Sequence, residues 1–323
     1  MEHSRRFRRI GQGHCGSVWA EDTDIPTPTD AIKREDMGEG RSLLNDSIMH
    51  KRIEYSLKEV QATLGFPTHV NIPAHREYIR NDDDAWWRHH ASSFPSGYEH
   101  CNTLVTERIL PFQTRTREKL IDLFCPRDSR ELVKRNPQDT DCIVRSYLGR
   151  RTHNPRPSRF FKLRNKPLHM DQMESMSLPV ESYARVMAEA LAVIYWHAKT
   201  DARDVEFVLA PSRPGEQTFG SDILGPHRMW ILDFDCVREI TVDKDGVEKA
   251  AQAFLGDHGN DPYFPRPGNE TEMDRKLWTI FSDRFLACSK MITGDSELPE
   301  MLIHRIEEFG EERRAKVSTA REE

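Results

Sequence analysis

No stretch of this 323-residue chain approaches the ~18 consecutive apolar residues that a membrane-spanning helix requires. The opening residues, MEHSRRFRRI, hold no apolar signal core. Both absences point to an intracellular protein, cytoplasmic or nuclear, with no membrane partner. A large excess of one charge is missing too. Lys and Arg number 47 against 53 Asp and Glu, a formal net charge of −6, so nothing global asks for nucleic acid or an anionic membrane. Cysteine is sparse and scattered, at Cys15, Cys101, Cys125, Cys142, Cys236 and Cys288. None forms a Cys-x-x-Cys pair and none stands near a His-x-x-x-His, whereas a structural zinc site needs four ligands, usually delivered as short-spaced pairs. Zinc is therefore not expected, and reduced, buried or half-buried thiols are. Internal repeats are also lacking. The apolar share, 37%, still supplies a core in a chain this long, and 31% charged residues imply a heavily solvated surface.

What is present falls into two halves. Residues 7–20, FRRIGQGHCGSVWA, read as strand, glycine turn, strand, and DAIKR (30–34) as a short further strand. Residues 42–62 carry Leu44, Ile48, Ile53, Leu57 and Val60 at helical spacing. HVNIPAHREYIR and NTLVTERIL read as strands, with a long polar loop between them that includes a strand at the Trp86–Trp87 pair. After Phe112 the pattern turns helical over 114–133. SLPVESYARVMAEALAVIYWHAK is a buried helix with its stripe at Val186, Ala190, Leu191, Ile194 and His197, and RMWILDFDCVREI is a strand. The chain closes on EEFGEERRAKVSTAREE, which reads as a solvated, fraying helix.

Four pieces carry chemistry. The first is GQGHCGSV, with Gly11, Gly13 and Gly16 followed by Val18. A lone G-x-G-x-x-G also suits a flexible hairpin. Dinucleotide folds open a helix straight after the glycines, however, and here β-branched and aromatic residues follow, the geometry that covers ATP phosphates with backbone N–H groups. The second is Lys33, placed to reach the α/β-phosphates and needing an acid on the next helix to hold it. Asp46 is favoured, with Glu54 close behind. The third is the junction HAKTDARDVEFVL, where Asp201 stands as proton acceptor after a buried helix and Glu206 follows five positions on as a metal ligand. The fourth is WILDFD, with Asp233 as a second metal ligand and Phe234 behind it. Glu107 begins the segment to Phe112 where a hinge would lie, and is the remaining candidate for nucleotide contact.

In this order the pieces resemble the protein-kinase-like superfamily. Within it, DCIVRSYLGRR, FFKLRNKPLHMDQM, ALAVIYWHAKTDARDVEFVL and WILDFDCV resemble a fungal family of unknown function whose members are often labelled "zinc finger protein". The resemblance covers roughly residues 100–290. It implies an α+β, two-lobed protein-kinase-like fold: an N-lobe over 1–112 with the glycine loop and Lys33, a C-lobe over 113–300 with the catalytic-type loop and the Asp-Phe-Asp motif, and a charged tail over 301–323. It also implies ATP and Mg²⁺ as cofactors. Lys33 matches the phosphate-contacting lysine, Asp201 the catalytic base and Asp233 the metal ligand of Asp-Phe-Gly. The chain departs from the pattern at four places. Glu206 replaces Asn, Lys199 and Thr200 replace the His-Arg before the catalytic Asp, Asp235 replaces the Gly after Phe234, and no Ala-Pro-Glu follows.

The last two departures fit small-molecule kinases better than protein kinases with a standard activation segment. Three functions follow as expectations. One is an ATP/Mg-dependent phosphotransferase acting on a small-molecule hydroxyl. Another is a pseudokinase-type module that binds a protein partner without catalysis. The third is nucleic-acid association through the basic run 145–166, with eight Lys or Arg, no acid, and the aromatics Tyr147, Phe160 and Phe161. The overall acidity disfavours the third, because SYLGRR and RFFKLRN also read as strands with arginines on a solvated face. His197 and Trp230 read as packing residues, and NDPYFPRPG (260–268) as a proline-stiffened connector in which Tyr263 and Arg266 are placed to face a ligand.

Overall fold

The computed structural model describes residues 6–23, 29–37, 41–66, 68–152, 161–256, 262–268 and 271–322, and for 317–322 the backbone alone. Strands β1 (Phe7–Gln12), β2 (Ser17–Glu21) and β3 (Asp30–Arg34) lead into helix α1 (Leu43–Leu64). Next come β4 (Val70–Asn71), β5 (His75–Ile79), the short helix α2 (Asp84–His90) and β6 (Thr103–Glu107). Helices α3 (Thr114–Phe124) and α4 (Arg130–Arg135) precede β7 (Val144–Tyr147), β8 (Lys166–His169), α5 (Met170–Ser175) and α6 (Val180–Ala192). Strands β9 (Glu206–Ala210) and β10 (Arg228–Leu232) follow, then α7 (Lys244–Leu255), α8 (Glu272–Thr293) and α9 (Leu298–Glu322).

Two five-stranded sheets result, in the orders β1-β2-β3-β6-β5 and β4-β10-β9-β7-β8. The first is antiparallel throughout, and its register sets Lys33 beside Val18 on one side and Leu104 on the other. The second is mixed, with β4 parallel to β10 and β7 parallel to β8. Helix α6 packs along α8, is buried nearly all round and continues into a π-helical turn, Val193–His197, a helix apolar enough to run through the core. The expected α+β architecture, a β-rich N-terminal sheet with one long helix followed by a mainly helical C-terminal part, is what the chain adopts. No described helix is long and apolar enough to cross a membrane.

Local chemistry explains the elements that position the site. Ser42 caps α1 by accepting the Asn45 N–H, and Gly65 ends the helix at φ 60°, a left-handed value that glycine takes without strain. The buried face of α1 is not the expected stripe. Leu44 and Ile48 are 48% and 47% exposed, whereas Asp46, Ser47, His50 and Glu54 are buried with Met49, Ile53, Leu57 and Val60. In the first turns the inward positions are mixed: Leu43 packs on Cys15 and Leu104, while Asp46 and His50 face the cleft. At Gly16 a Cβ would lie 1.7 Å from the Arg34 carbonyl oxygen, so close approach demands glycine at the base of the β1–β2 turn.

Three other segments differ from expectation. The Trp pair lies on a helix, not a strand: Asp83 caps α2, and Trp87 packs with Trp19, Ile32 and Phe94 over the outer sheet, where Arg34 is sandwiched at 4.5 Å from the Phe94 ring. RFFKLRN is not a strand over its described residues: Asn165 has φ 52°, and β8 begins at Lys166. The segment 301–323 is not a free tail throughout, because Leu302, Ile303, Ile306 and Phe309 of α9 are buried in the core.

These burial patterns give a direct test of helix phase. Ile53→Ala is expected to cost about 2–5 kcal/mol of stability, whereas Ile48→Ala is expected to stay within about 0.5 kcal/mol. Urea midpoints of the two variants measure the difference.

Candidate functional site

The cleft between the sheets is an apolar slot. Ile10, Val18, Ala31 and Leu104 line it from the first sheet, and Ile143 and Leu232 from the second. Such opposed faces suit a flat ring. Gly11 and Gly13 also line it, as does Glu107 at the end of β6. Phe112 follows, fixed by its N–H to the Cys142 carbonyl.

At the inner end of the slot, Lys33 Nζ lies 2.7 Å from Asp46 Oδ2 and 2.6 Å from Asp233 Oδ1. The choice between the two helix acids is thereby resolved: Asp46 holds Lys33, while Glu54 accepts from Lys58 Nζ at 2.6 Å and the His75 N–H at 3.0 Å, away from the slot. Burial pulls the Lys33 ammonium down, but Asp233 and Asp46 outweigh it and hold it well above its ordinary value. Conversely, burial pushes the Asp233 carboxyl up, and Lys33 more than offsets this, leaving it below the usual carboxylate range. Asp233 adopts φ 69°, a left-handed conformation uncommon outside glycine, and its neighbour Phe234 donates its N–H to Asp46 Oδ1 and packs against His50.

Glu206 opens β9 across from Leu232 and reaches the slot, where Arg145 of β7 binds it. Burial, with Asp233 and Asp204 nearby, raises its carboxyl to about 7 against the pull of Arg145. Burial pulls the Arg145 guanidinium down, and Glu206 together with Tyr263 and Tyr147 more than offsets that and raises it. Asp235, at the glycine position of the kinase motif, is matched by Arg41, whose Nη1 lies 3.0 Å from Asp235 and 2.7 Å from Asp204.

Asp201 is not brought to the slot. It is 4% exposed, and its Oδ1 accepts the N–H groups of Arg203 at 3.1 Å and Arg238 at 2.9 Å. Burial pushes its carboxyl above the ordinary value, and those two hydrogen bonds offset only part of the rise. It braces the loop after α6 against the segment after β10. Gly16 also stands off the slot. The turn it closes has committed donors: Gly13 N–H bonds the Gly16 carbonyl at 2.9 Å, and Ser17 N–H reaches Asp36 Oδ1 at 2.8 Å, with the Ser17 hydroxyl on the other oxygen.

Sequence reasoning missed the arginines that complete the site. Asp141 lines the slot and is bound by Arg8 of β1 and by Arg108 beyond β6. Glu107 accepts two bonds from Arg213, at 2.6 and 2.7 Å, and the Ala74 N–H. In the basic run, Arg145 serves Glu206 and Arg151 serves Glu174 and Asp274, while His153–Phe160 lies outside the described residues. Of the packing assignments, Trp230 is buried and His197 half-buried. Tyr263 is buried against Tyr147 and Phe207, and residues 260 and 261 of its connector lie outside the described residues. All six cysteines are free thiols. Among the described residues one group of three ligand-type side chains converges, Asp204, Asp235 and Cys236, and Arg41 already sits on both of its acids.

Comparison with known proteins adds little beyond this geometry. Residues 229–297 match a family model described as "Zinc finger protein". No curated protein matches. Among solved structures, the kinase domain of PknI from Mycobacterium tuberculosis, a double mutant, overlays 96% of this chain and 99% of its own length at 12% identity and a TM-score of 0.32. An overlap that low is given no weight.

The Glu107–Arg213 pair makes a pH prediction. Burial raises the Glu107 carboxyl, but Arg213 and the Ala74 N–H outweigh it, leaving it below its ordinary 4.5. A depressed carboxylate stabilises the fold above its unfolded-state value and loses that contribution as pH falls. Glu107→Gln is therefore expected to lower stability by roughly 1–2 kcal/mol at pH 7. The gap from wild type should close as pH falls below 4.5, read from urea midpoints across pH.

Proposed function

We propose that the interlobe slot binds a purine nucleotide, ATP by class, and that the chain works as a kinase-shaped binding module of the pseudokinase type rather than as an efficient phosphotransferase. The observation that carries the reading is Lys33, pinned between Asp46 and Asp233 at the inner end of an apolar slot. A flat base fits between the opposed aliphatic faces, and a lysine fixed by two acids meets the phosphates without first being ordered. Against efficient transfer stands Asp201. A general base must come within hydrogen-bond reach of the proton it takes, and this carboxylate is buried, engaged by two backbone N–H groups and off the slot. A binding module of this kind would report nucleotide occupancy to a protein partner through the lobes that Lys33 joins.

A second reading, phosphoryl transfer to a small-molecule hydroxyl, is favoured by the intact Lys33, Asp46 and Asp233 set. There Asp201 would accept the hydroxyl proton, and positioning and charge neutralisation would supply most of the rate. It requires the loop around Asp201 to open toward the slot. Association with nucleic acid is disfavoured, since the described arginines at 145 and 151 are committed to acids within the chain.

Thermal unfolding with ATP tests the binding. A nucleotide at about 100 times its dissociation constant adds about 2.7 kcal/mol, a rise of several degrees at roughly 2–4 °C per kcal/mol. Wild type is expected to show that rise, and Ala31→Trp, which fills the slot, to lose it. Asp201→Asn is expected to keep it. Transfer of phosphate to a hydroxyl acceptor by wild type, abolished in Asp201→Asn, would instead establish the second reading.

A further inference from the structure

The expected metal is where the site and the family pattern part. Mg²⁺ needs carboxylate oxygens free to enter a near-octahedral shell. The two carboxylates expected to supply them, Asp233 and Glu206, each already hold a cation of the chain: Asp233 Oδ1 is 2.6 Å from Lys33 Nζ, and Glu206 is bound by Arg145. The remaining acids of the slot are matched in the same way. Asp46 shares Lys33, Asp141 has Arg8 and Arg108, and Glu107 has Arg213. Taken over the whole wall, the five acids Asp46, Asp233, Glu206, Asp141 and Glu107 face five cations, Lys33, Arg145, Arg8, Arg108 and Arg213, so the slot carries no net negative charge to draw a divalent ion, which would also sit against an ammonium and a guanidinium. The residues present do not fit the metal.

On the nucleotide reading above, we propose that the slot takes its nucleotide without a divalent cation, and that Arg145 stands where the metal charge would stand. Arg145 is the arginine on the slot wall with a donor left over. Its guanidinium lines the slot beside Glu206, and its Nε is buried with no hydrogen-bond partner among the described residues. A buried donor left unpaired is costly, and an oxygen acceptor entering the slot would satisfy it. The planar fork of arginine matches a phosphate, and unlike a bound ion it needs no recruitment from solution. The glycine turn adds to this, because Gly13 N–H and both donors of Ser17 are spent within the chain. In this proposal phosphate recognition falls chiefly to two side chains, Lys33 from the first sheet and Arg145 from the second.

Equilibrium titration with ATP in EDTA and in Mg²⁺, with adenosine as a parallel probe, tests this. Wild type is expected to bind ATP equally in the two buffers, within about threefold. Arg145→Gln leaves Glu206 unpaired and risks misfolding, so the double variant Arg145→Gln/Glu206→Gln is measured beside it. The double variant is expected to lose about tenfold or more in affinity for ATP in EDTA while keeping its affinity for adenosine. Adenosine binding with ATP binding that appears only in Mg²⁺ would overturn the metal-free proposal and leave the nucleotide reading standing. Binding of neither probe in either buffer would overturn both.

Discussion

Lys33 is the group at which the N-terminal sheet, helix α1 and the turn after β10 meet at the inner end of the slot. It belongs to β3, its first acid to α1 and its second to the turn after β10, so one ammonium joins three segments that the chain separates by as much as 200 positions. Inside a low-dielectric cleft, two acids at hydrogen-bond distance hold the Lys33 ammonium charged against the pull of burial. The same contact holds Asp233 in a left-handed conformation that a non-glycine residue does not adopt cheaply. Around it the slot is arranged as a set of opposed apolar faces in which each wall acid touches a cation of the chain.

Much of this was legible in the residue order, and the failures have physical causes. Lys33 and Asp233 stood out because a glycine turn, a β-type AIK and an acid ending an apolar strand are local features whose sequence order carries the inference. The partner on α1 was less certain, since Asp46 and Glu54 share a helix face and periodicity alone does not say which turn meets the lysine. Leu44 and Ile48 misled for a related reason. Apolar spacing marks a buried face only where the burying surface is itself apolar, and the first turns of α1 face a charged cleft.

The arginines lay beyond such reasoning altogether. Arg145, Arg213 and Arg8 meet acids from 61 to 133 positions away, as with Arg8 and Asp141, and nothing in their local sequence selects those partners. Arg145 sat inside a basic run that suggested a solvated face. The Asp235 departure, an acid where kinases have glycine, likewise makes sense only with Arg41 beside it. The two acids that depart from the kinase pattern, Glu206 and Asp235, are each met by an arginine from elsewhere in the chain.

The most direct test of the Lys33 constraint is a double-mutant cycle on stability, using Lys33→Met, Asp233→Asn and the pair together in urea. Lys33→Met leaves the buried Asp46 and the half-buried Asp233 without their cation and is predicted to cost about 3 kcal/mol. Removing the Asp233 charge as well is predicted to restore at least ~1 kcal/mol of that loss, a coupling expected only of groups in contact. Additive losses in the double variant would contradict the account, because Lys33 would then not be held by Asp233 and the lobes would not be joined through it.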